Sequence, residues 1–325
     1  MNYISTRDAQ GIPRTASYVI REGIAPDGGL YVPSSLPALD GETLQKLCTD
    51  DYCSRAVRIL GMFLSDFTQT ELAACAEAAY ASERFGSDPA PLSLLGQDAF
   101  LELWHGPTCA FKDMALQIMP KLLSLSIEKQ GGGKDALILV ATSGDTGKAA
   151  LEGYRDVERV RILVFYPTGG VSRIQQKQMA TQAGNNVGVI AIRGNFDDAQ
   201  TAVKEIFSDA AFRREKAVTS ANSINLLRWM PQSFYYFYAW AQWKKTTGED
   251  APDIVVPSGN YGNLSAGMLA ARMGMPVGRF VAASNANDII PKYLETGVFE
   301  PRASVMTLAN AMDVGNPSNY ERILD

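Results

Sequence analysis

The chain has 325 residues, a formal net charge of −5 and a single histidine. Its length predicts about two domains at roughly 150 residues each, and its ordinary hydrophobic and charged content predicts a globular chain with a sizeable core. The mild acidity argues against nucleic acid or an anionic membrane as main partner, since both select concentrated Lys and Arg, and one histidine excludes a multi-histidine metal centre or an HExxH zincin.

The opening MNYISTRDAQG has no apolar core of a secretory signal, and no run of about 18 apolar residues predicts a membrane span. Residues 25–37 (APDGGLYVPSSLP) are rich in turn formers. Helical patterns follow at 54–64 (SRAVRILGMFL) and 71–85 (ELAACAEAAYASERF), and GSDPAP at 86–91 has a linker's composition. A first domain is therefore placed at 1–92. Cys48, Cys53, Cys75 and Cys109 form no CxxC pair and read as reduced core thiols of a cytoplasmic protein.

Beyond residue 92 the pattern turns to β–loop–helix. Strands are expected at 100–104 (FLELW), 136–142 (ALILVAT), 160–166 (VRILVFY), 187–192 (VGVIAI), 253–257 (DIVVP) and 279–284 (RFVAAS). Most are short continuous apolar runs, as in strands buried on both faces, and helical stretches separate them. An α/β architecture with a parallel or mostly parallel sheet flanked by helices follows. The aromatic stretch 229–243 is read as a buried helix rather than a cofactor box, with Pro231 near its start.

Two strand-to-helix turns stand out. Thr142-Ser143-Gly144-Asp145-Thr146-Gly147 follows ALILVA, and Pro257-Ser258-Gly259-Asn260-Tyr261-Gly262-Asn263 follows DIVV. Backbone N–H groups at such helix starts converge with the positive end of the dipole behind them and suit an anion. The first turn fails the P-loop pattern twice, and neither has the GxGxxG dinucleotide fingerprint. Either turn alone also suits a plain helix cap. Two in one α/β region point to a ligand with two anionic groups. A third feature, residues 105–113 (HGPTCAFKD), places Lys112 before an amphipathic helix over 114–129. A cation there opposes the dipole, which favours a neutral amine able to form a Schiff base with a carbonyl cofactor. The alternative is a surface lysine.

These residues resemble the threonine synthase family, pyridoxal 5′-phosphate (PLP) enzymes of fold type II. HGPTCAFKDMALQ resembles its cofactor-lysine motif, ATSGDTG its loop beside cofactor ring and substrate, and PSGNYGN its cofactor-phosphate loop. APDGGLYVP at 25–33, VSRIQQKQM at 171–179, GNFDDAQ at 194–200, ANSINLLRWMPQ at 221–232 and NAMDVGNPSN at 310–319 match in the same order.

The resemblance implies that Lys112 holds PLP covalently and shuttles protons. Gly259, Asn260, Tyr261, Gly262 and Asn263 would bind the cofactor phosphate, and Asp145 would face its ring. Thr142, Ser143, Gly144, Thr146 and Gly147 would face the substrate, with Asn222, Ser223, Asn225 and Arg228 helping to bind it. His105 is expected to be a hydrogen-bonded structural residue. No metal is implied. The fold implied is a small helical N-terminal domain (1–92), a large PLP part (93–112 and 222–325) and a smaller α/β part (113–221). The activity implied is conversion of O-phospho-L-homoserine and water to L-threonine and phosphate. The competing readings are a related phospho-lyase or serine/threonine dehydratase giving 2-oxobutyrate, and an inactive binding module. Ser318-x-x-Glu321 reads as a capping box opening a helix. Since family members extend beyond NPSN, the chain is expected to lack their C-terminal part and with it the partner of the pyridine nitrogen.

Overall fold

The computed structural model describes residues 1–142, 144–194 and 196–325. Ten strands are described: β1 (Tyr3–Ser5), β2 (Tyr31–Pro33), β3 (Leu92–Leu95), β4 (Asp98–Leu101), β5 (Ala136–Ala141), β6 (Val160–Pro167), β7 (Val187–Ile192), β8 (Ala217–Thr219), β9 (Ile254–Pro257) and β10 (Phe280–Ala283). The central sheet has the order β7-β6-β5-β8 and is parallel throughout. The apolar runs of β5 and β6 are buried on both faces as expected, but β7 is an edge strand with Ile190 exposed, and Val255 of β9 and Val281 of β10 are exposed as well. Ile138, Val140, Ile162 and Val164 point into the main core with Ala149, Ala150 and Leu151 of the helix Asp145–Tyr154. The alternate residues Leu139, Ala141 and Phe165 meet Ala199 and Val203 of the helix Phe196–Ser208 on the other side. Strands β9 and β10 form a separate parallel pair.

The N-terminal region holds an antiparallel pair, β1–β2, among the helices Ala16–Glu22, Gly41–Thr49, Tyr52–Phe63 and Gln69–Ala79. Local chemistry sets their starts. Asp40 and Asp51 accept N-cap hydrogen bonds, and Thr68 and Glu71 form a reciprocal capping box. Tyr3, Leu60, Met119, Tyr235 and Leu269 belong to one continuous apolar cluster, so this region packs directly on the rest. The aromatic stretch is indeed largely buried: Phe234, Tyr235 and Phe237 of the helix Gln232–Thr247 lie in the core, and Pro231 immediately precedes the helix.

Several expectations need correction. FLELW is not a buried parallel strand. Only its first two residues join β4, which pairs antiparallel with β3 as a hairpin, and Phe100 is exposed. The helix expected over 114–129 is broken into Asp113–Leu116 and Met119–Lys129. Pro120 has no N–H for the carbonyl of Leu116, and that carbonyl instead faces Gly153, where any Cβ would collide with it. Strand β8 was not anticipated, being three residues long. Cys109 is exposed on a loop at φ 55°, not a core thiol; Cys48 and Cys53 are half-buried and Cys75 is buried. Ser318 opens no capping box. Its N–H and hydroxyl both donate to Asn260 Oδ1, and Glu321 pairs with Arg7 instead, leaving a short 3₁₀ turn followed by Glu321–Leu324. No helix of the described residues is long and apolar enough to cross a membrane.

Candidate active site

The site lies where parallel strands end and helices begin, the usual place for a ligand crevice in an α/β sheet. β5 leads into the turn 142–147, and β9 leads into the turn 258–262. Beside the first turn an open cleft is lined by Lys112, Asp145, Thr146, Gln175, Asn310 and Ala311.

Lys112 ends a tightly locked loop. The Asp113 carboxylate accepts from the Thr108 N–H at 2.8 Å and its hydroxyl at 2.7 Å, closing the turn that presents the lysine. Lys148 donates to the Thr108 carbonyl from the helix Asp145–Tyr154. Gly106 must lack a side chain, because a Cβ there would strike Asp113 and Phe85. The Lys112 side chain is only 11% exposed; its Nζ lies 3.6 Å from Asp145 Oδ2 and 4.7 Å from the Phe111 ring centre. Burial pulls its pKa from 10.5 down to about 8, with Asp145 pulling upward and Arg228 and Lys148 adding to the depression. The lysine thus lies at a helix start as expected, but the following helix has only four residues, and burial is the largest cause of the lowered pKa.

In the first turn, Thr142 Oγ1 accepts from the N–H groups of Gly144 (3.0 Å) and Gly147 (2.9 Å). Gly144 has φ 141°, open to glycine and strained for other residues. Gly147 is set by packing, since a Cβ would meet Thr142 and Val164. Thr146 reaches the cleft. Ser143 lies outside the described residues.

In the second turn, Tyr261 is left-handed (φ 60°), which turns the chain into the helix Gly262–Arg272. By helix geometry the first N–H groups of that helix have no intrahelical acceptor. Asn263 Oδ1 accepts from the hydroxyls of Tyr235 (2.6 Å) and Tyr236 (2.7 Å). The side chain of Asn260 ties Ser223 to Ser318. Asn222 is half-buried beside Ser223.

Asn225 and Arg228 face inward. Asn225 is fully buried, caps the helix Leu226–Trp229 through Leu227 N–H at 2.9 Å, and donates to Ile20 and Ser220 carbonyls. Arg228 is no surface cation: it is buried, donates to the Ala221 carbonyl, leaves Nε unpaired, and has its pKa lowered to about 10 by burial. His105 is outside the cleft lining. Its Nε2 is 2.7 Å from Glu102 Oε2 and its ring stacks on Trp104.

Sequence reasoning gave no role to Gln175, Asn310 or Ala311. All three sit inside motifs noticed in the sequence, but only their position in the fold brings them to the cleft.

Residues 2–80 match the family model for the threonine synthase N terminus, and residues 90–325 match the model for pyridoxal-phosphate-dependent enzymes. The threonine synthase of Buchnera aphidicola subsp. Baizongia pistaciae is 39% identical over 309 residues, which are 94% of this chain and 70% of that protein. The Escherichia coli threonine synthase is 38% identical, over 94% of this chain and 69% of that one. The structure of PLP-bound threonine synthase from Brucella melitensis superposes with a TM-score of 0.92 at 36% identity, covering 100% of this chain and 69% of that one.

Proposed function

The chain belongs to the threonine synthase family of pyridoxal-phosphate-dependent enzymes, and from that premise we infer that it converts O-phospho-L-homoserine and water to L-threonine and phosphate. The carrying observation is the enclosed Lys112 amine beside Asp145 in a cleft lined by the first turn and by Asn310 and Ala311, whose 3₁₀ turn packs through Met312 on Gly259 of the second.

The residues present fit the cofactor. At pH 7.5 an amine of pKa about 8 is roughly a quarter neutral, against about a thousandth for an ordinary lysine, and only the neutral amine can attack a carbonyl carbon. Gly259, Asn260, Tyr261, Gly262 and Asn263 would hold the cofactor phosphate, with helix N–H groups and neutral side chains and no carboxylate among them. Asp145 would face the ring. When bound, PLP supplies an electron sink for negative charge at the substrate Cα.

This chain's own groups do the rest. The Lys112 amine accepts the Cα proton and then a Cβ proton as phosphate leaves Cγ, returns one proton to Cγ to make the methyl carbon, and returns the other to Cα once water has added at Cβ with its second proton passing to phosphate. In the turn holding Thr142, Ser143, Gly144, Thr146 and Gly147, Thr146 reaches the cleft and would donate to the substrate's anionic groups, while the Gly144 and Gly147 N–H groups, bonded to Thr142 Oγ1, hold the turn's shape. Asn222 and Ser223 border the substrate. Arg228, buried outside the cleft lining, adds positive potential at Lys112, and Asn225 acts by holding the segment that carries Asn222 and Ser223.

We place the small N-terminal domain at 1–92, the large part at 93–112 and 222–325, and the smaller α/β part at 113–221. The whole β5–β8 sheet falls within the last and the β9–β10 pair within the large part. The four free cysteines suit a reducing cytoplasm, and the product places the enzyme in threonine biosynthesis.

The test is a product assay on the PLP-loaded protein. Equal amounts of threonine and phosphate from O-phospho-L-homoserine support this function. 2-Oxobutyrate as main product would make the protein a phospho-lyase or dehydratase, and no PLP retention would leave a binding module. Borohydride reduction and peptide mapping should place the pyridoxyl group on Lys112.

A further inference from the structure

Gln175 has both polar atoms of its side chain committed. It is the N3 residue of the helix Arg173–Ala180, whose N-cap is Ser172. Its Oε1 accepts from the Ser172 N–H at 3.0 Å, while its own N–H donates to Ser172 Oγ at 3.2 Å. The cap therefore fixes which way the amide faces: the oxygen is taken, and only the NH₂ can turn to the cleft. That NH₂ donates to Asp145 Oδ1 at 2.7 Å. The other oxygen of the same carboxylate is the one 3.6 Å from Lys112 Nζ. Gly144 leaves room for this arrangement, since a Cβ there would strike the Gln175 amide.

We propose that Gln175 is a positioning residue that holds the Asp145 carboxylate at a set distance from the Lys112 amine. An amide donor spreads the charge of Asp145 and restrains it from closing the 3.6 Å ion pair to hydrogen-bond length. The charged groups facing Lys112 are Asp145 and Lys148 on the helix Asp145–Tyr154 and Arg228 on the helix Leu226–Trp229, with the Phe111 ring alongside. Among them Asp145 alone favours the ammonium form. Restraining it keeps the lysine easy to deprotonate.

The choice of glutamine is informative. Glutamate serves the capping box equally well and is better placed against the helix dipole. It would set a second carboxylate against Asp145. The cap alone does not require an amide; the contact with Asp145 does.

This inference rests on Lys112 being the cofactor lysine, but its test needs no cofactor. The apoprotein is labelled with trinitrobenzenesulfonate across pH 6–11, and the labelling of the Lys112 peptide is followed by mass mapping. Gln175→Glu should keep the wild-type melting temperature within a few degrees and raise the Lys112 labelling midpoint by about one pH unit. Gln175→Met, which loses the donor without adding charge, should raise it by less. If Gln175→Glu does not fold, Gln175→Met takes its place with the same sign required. An unmoved or lowered midpoint overturns the role of Gln175. A borohydride adduct on another lysine overturns the site assignment instead.

Discussion

Gly259 and Met312 are packed backbone to backbone: a Cβ on Gly259 would lie 2.6 Å from the Met312 carbonyl oxygen and 2.7 Å from its Cα. Met312 closes the 3₁₀ turn Asn310–Met312, whose first residue, with Ala311, lines the Lys112 cleft. One missing side chain thus couples the proposed phosphate loop to the cleft wall. The same wall is pinned from behind by Asp313, whose carboxylate accepts from Asn285, Asn287 and Thr307.

Gly259→Ala should push the 3₁₀ turn and the loop apart. Overpacking of this kind costs about 1–3 kcal/mol, so a lower melting temperature is expected. A fluorescence titration should show PLP affinity reduced by roughly tenfold or more. Unchanged affinity would mean that the loop does not hold the cofactor.

Lys112→Met should abolish turnover yet stabilise the apoprotein. In the fold the amine titrates near pH 8, and in the unfolded chain near 10.5. Between these values the unfolded state binds more protons, so stability rises with pH across that window. Below pH 8 the full cost of the buried ammonium is present, on the order of 3 kcal/mol. Urea unfolding at pH 7 and pH 10 should show the variant more stable at neutral pH and lacking the wild-type rise.

Asp145→Asn removes the carboxylate 3.6 Å from Lys112 while keeping an oxygen for the Gln175 amide. The Lys112 midpoint in the labelling experiment should fall by about one pH unit. A rise would show that the two side chains are not coupled as the geometry states.

Asn225→Ala should act on stability. The residue is fully buried, caps a helix and donates to two carbonyls from separate segments. Its loss should cost about 1–3 kcal/mol in urea unfolding, with the KM for O-phospho-L-homoserine nearly unchanged in the folded fraction. A raised KM without loss of stability would make it a substrate contact.

Much of this could be read from local pattern. Strands β5, β6, β7, β9 and β10 fall where continuous apolar runs placed them, although only β5 and β6 are buried on both faces, and Ile190, Val255 and Val281 of the other three are exposed. The hairpin β3–β4 was harder. FLELW is apolar like the others, yet Phe100 and Trp104 are exposed, and composition does not distinguish a covered run from an uncovered one. The break before Pro120 was written in the sequence, since a proline has no N–H for the carbonyl four residues back, whereas the abandoned capping box at Ser318 depended on Asn260 lying nearby.

The sequence by itself determined the α/β class, the two glycine-bearing turns and the family, and singled out Lys112 as the candidate cofactor lysine. Each of these is written in consecutive residues, by periodicity, by backbone permissiveness or by motif. Only the tertiary structure decided what meets Lys112. Asp145 approaches from the helix after β5, Gln175 from the helix after β6, and Asn310 from a turn near the chain's end. The same packing buried Arg228 and Asn225, which local pattern left indistinguishable from surface residues. Local pattern fixes which face of each element is apolar, whereas long-range packing chooses which polar groups are brought within hydrogen-bonding distance.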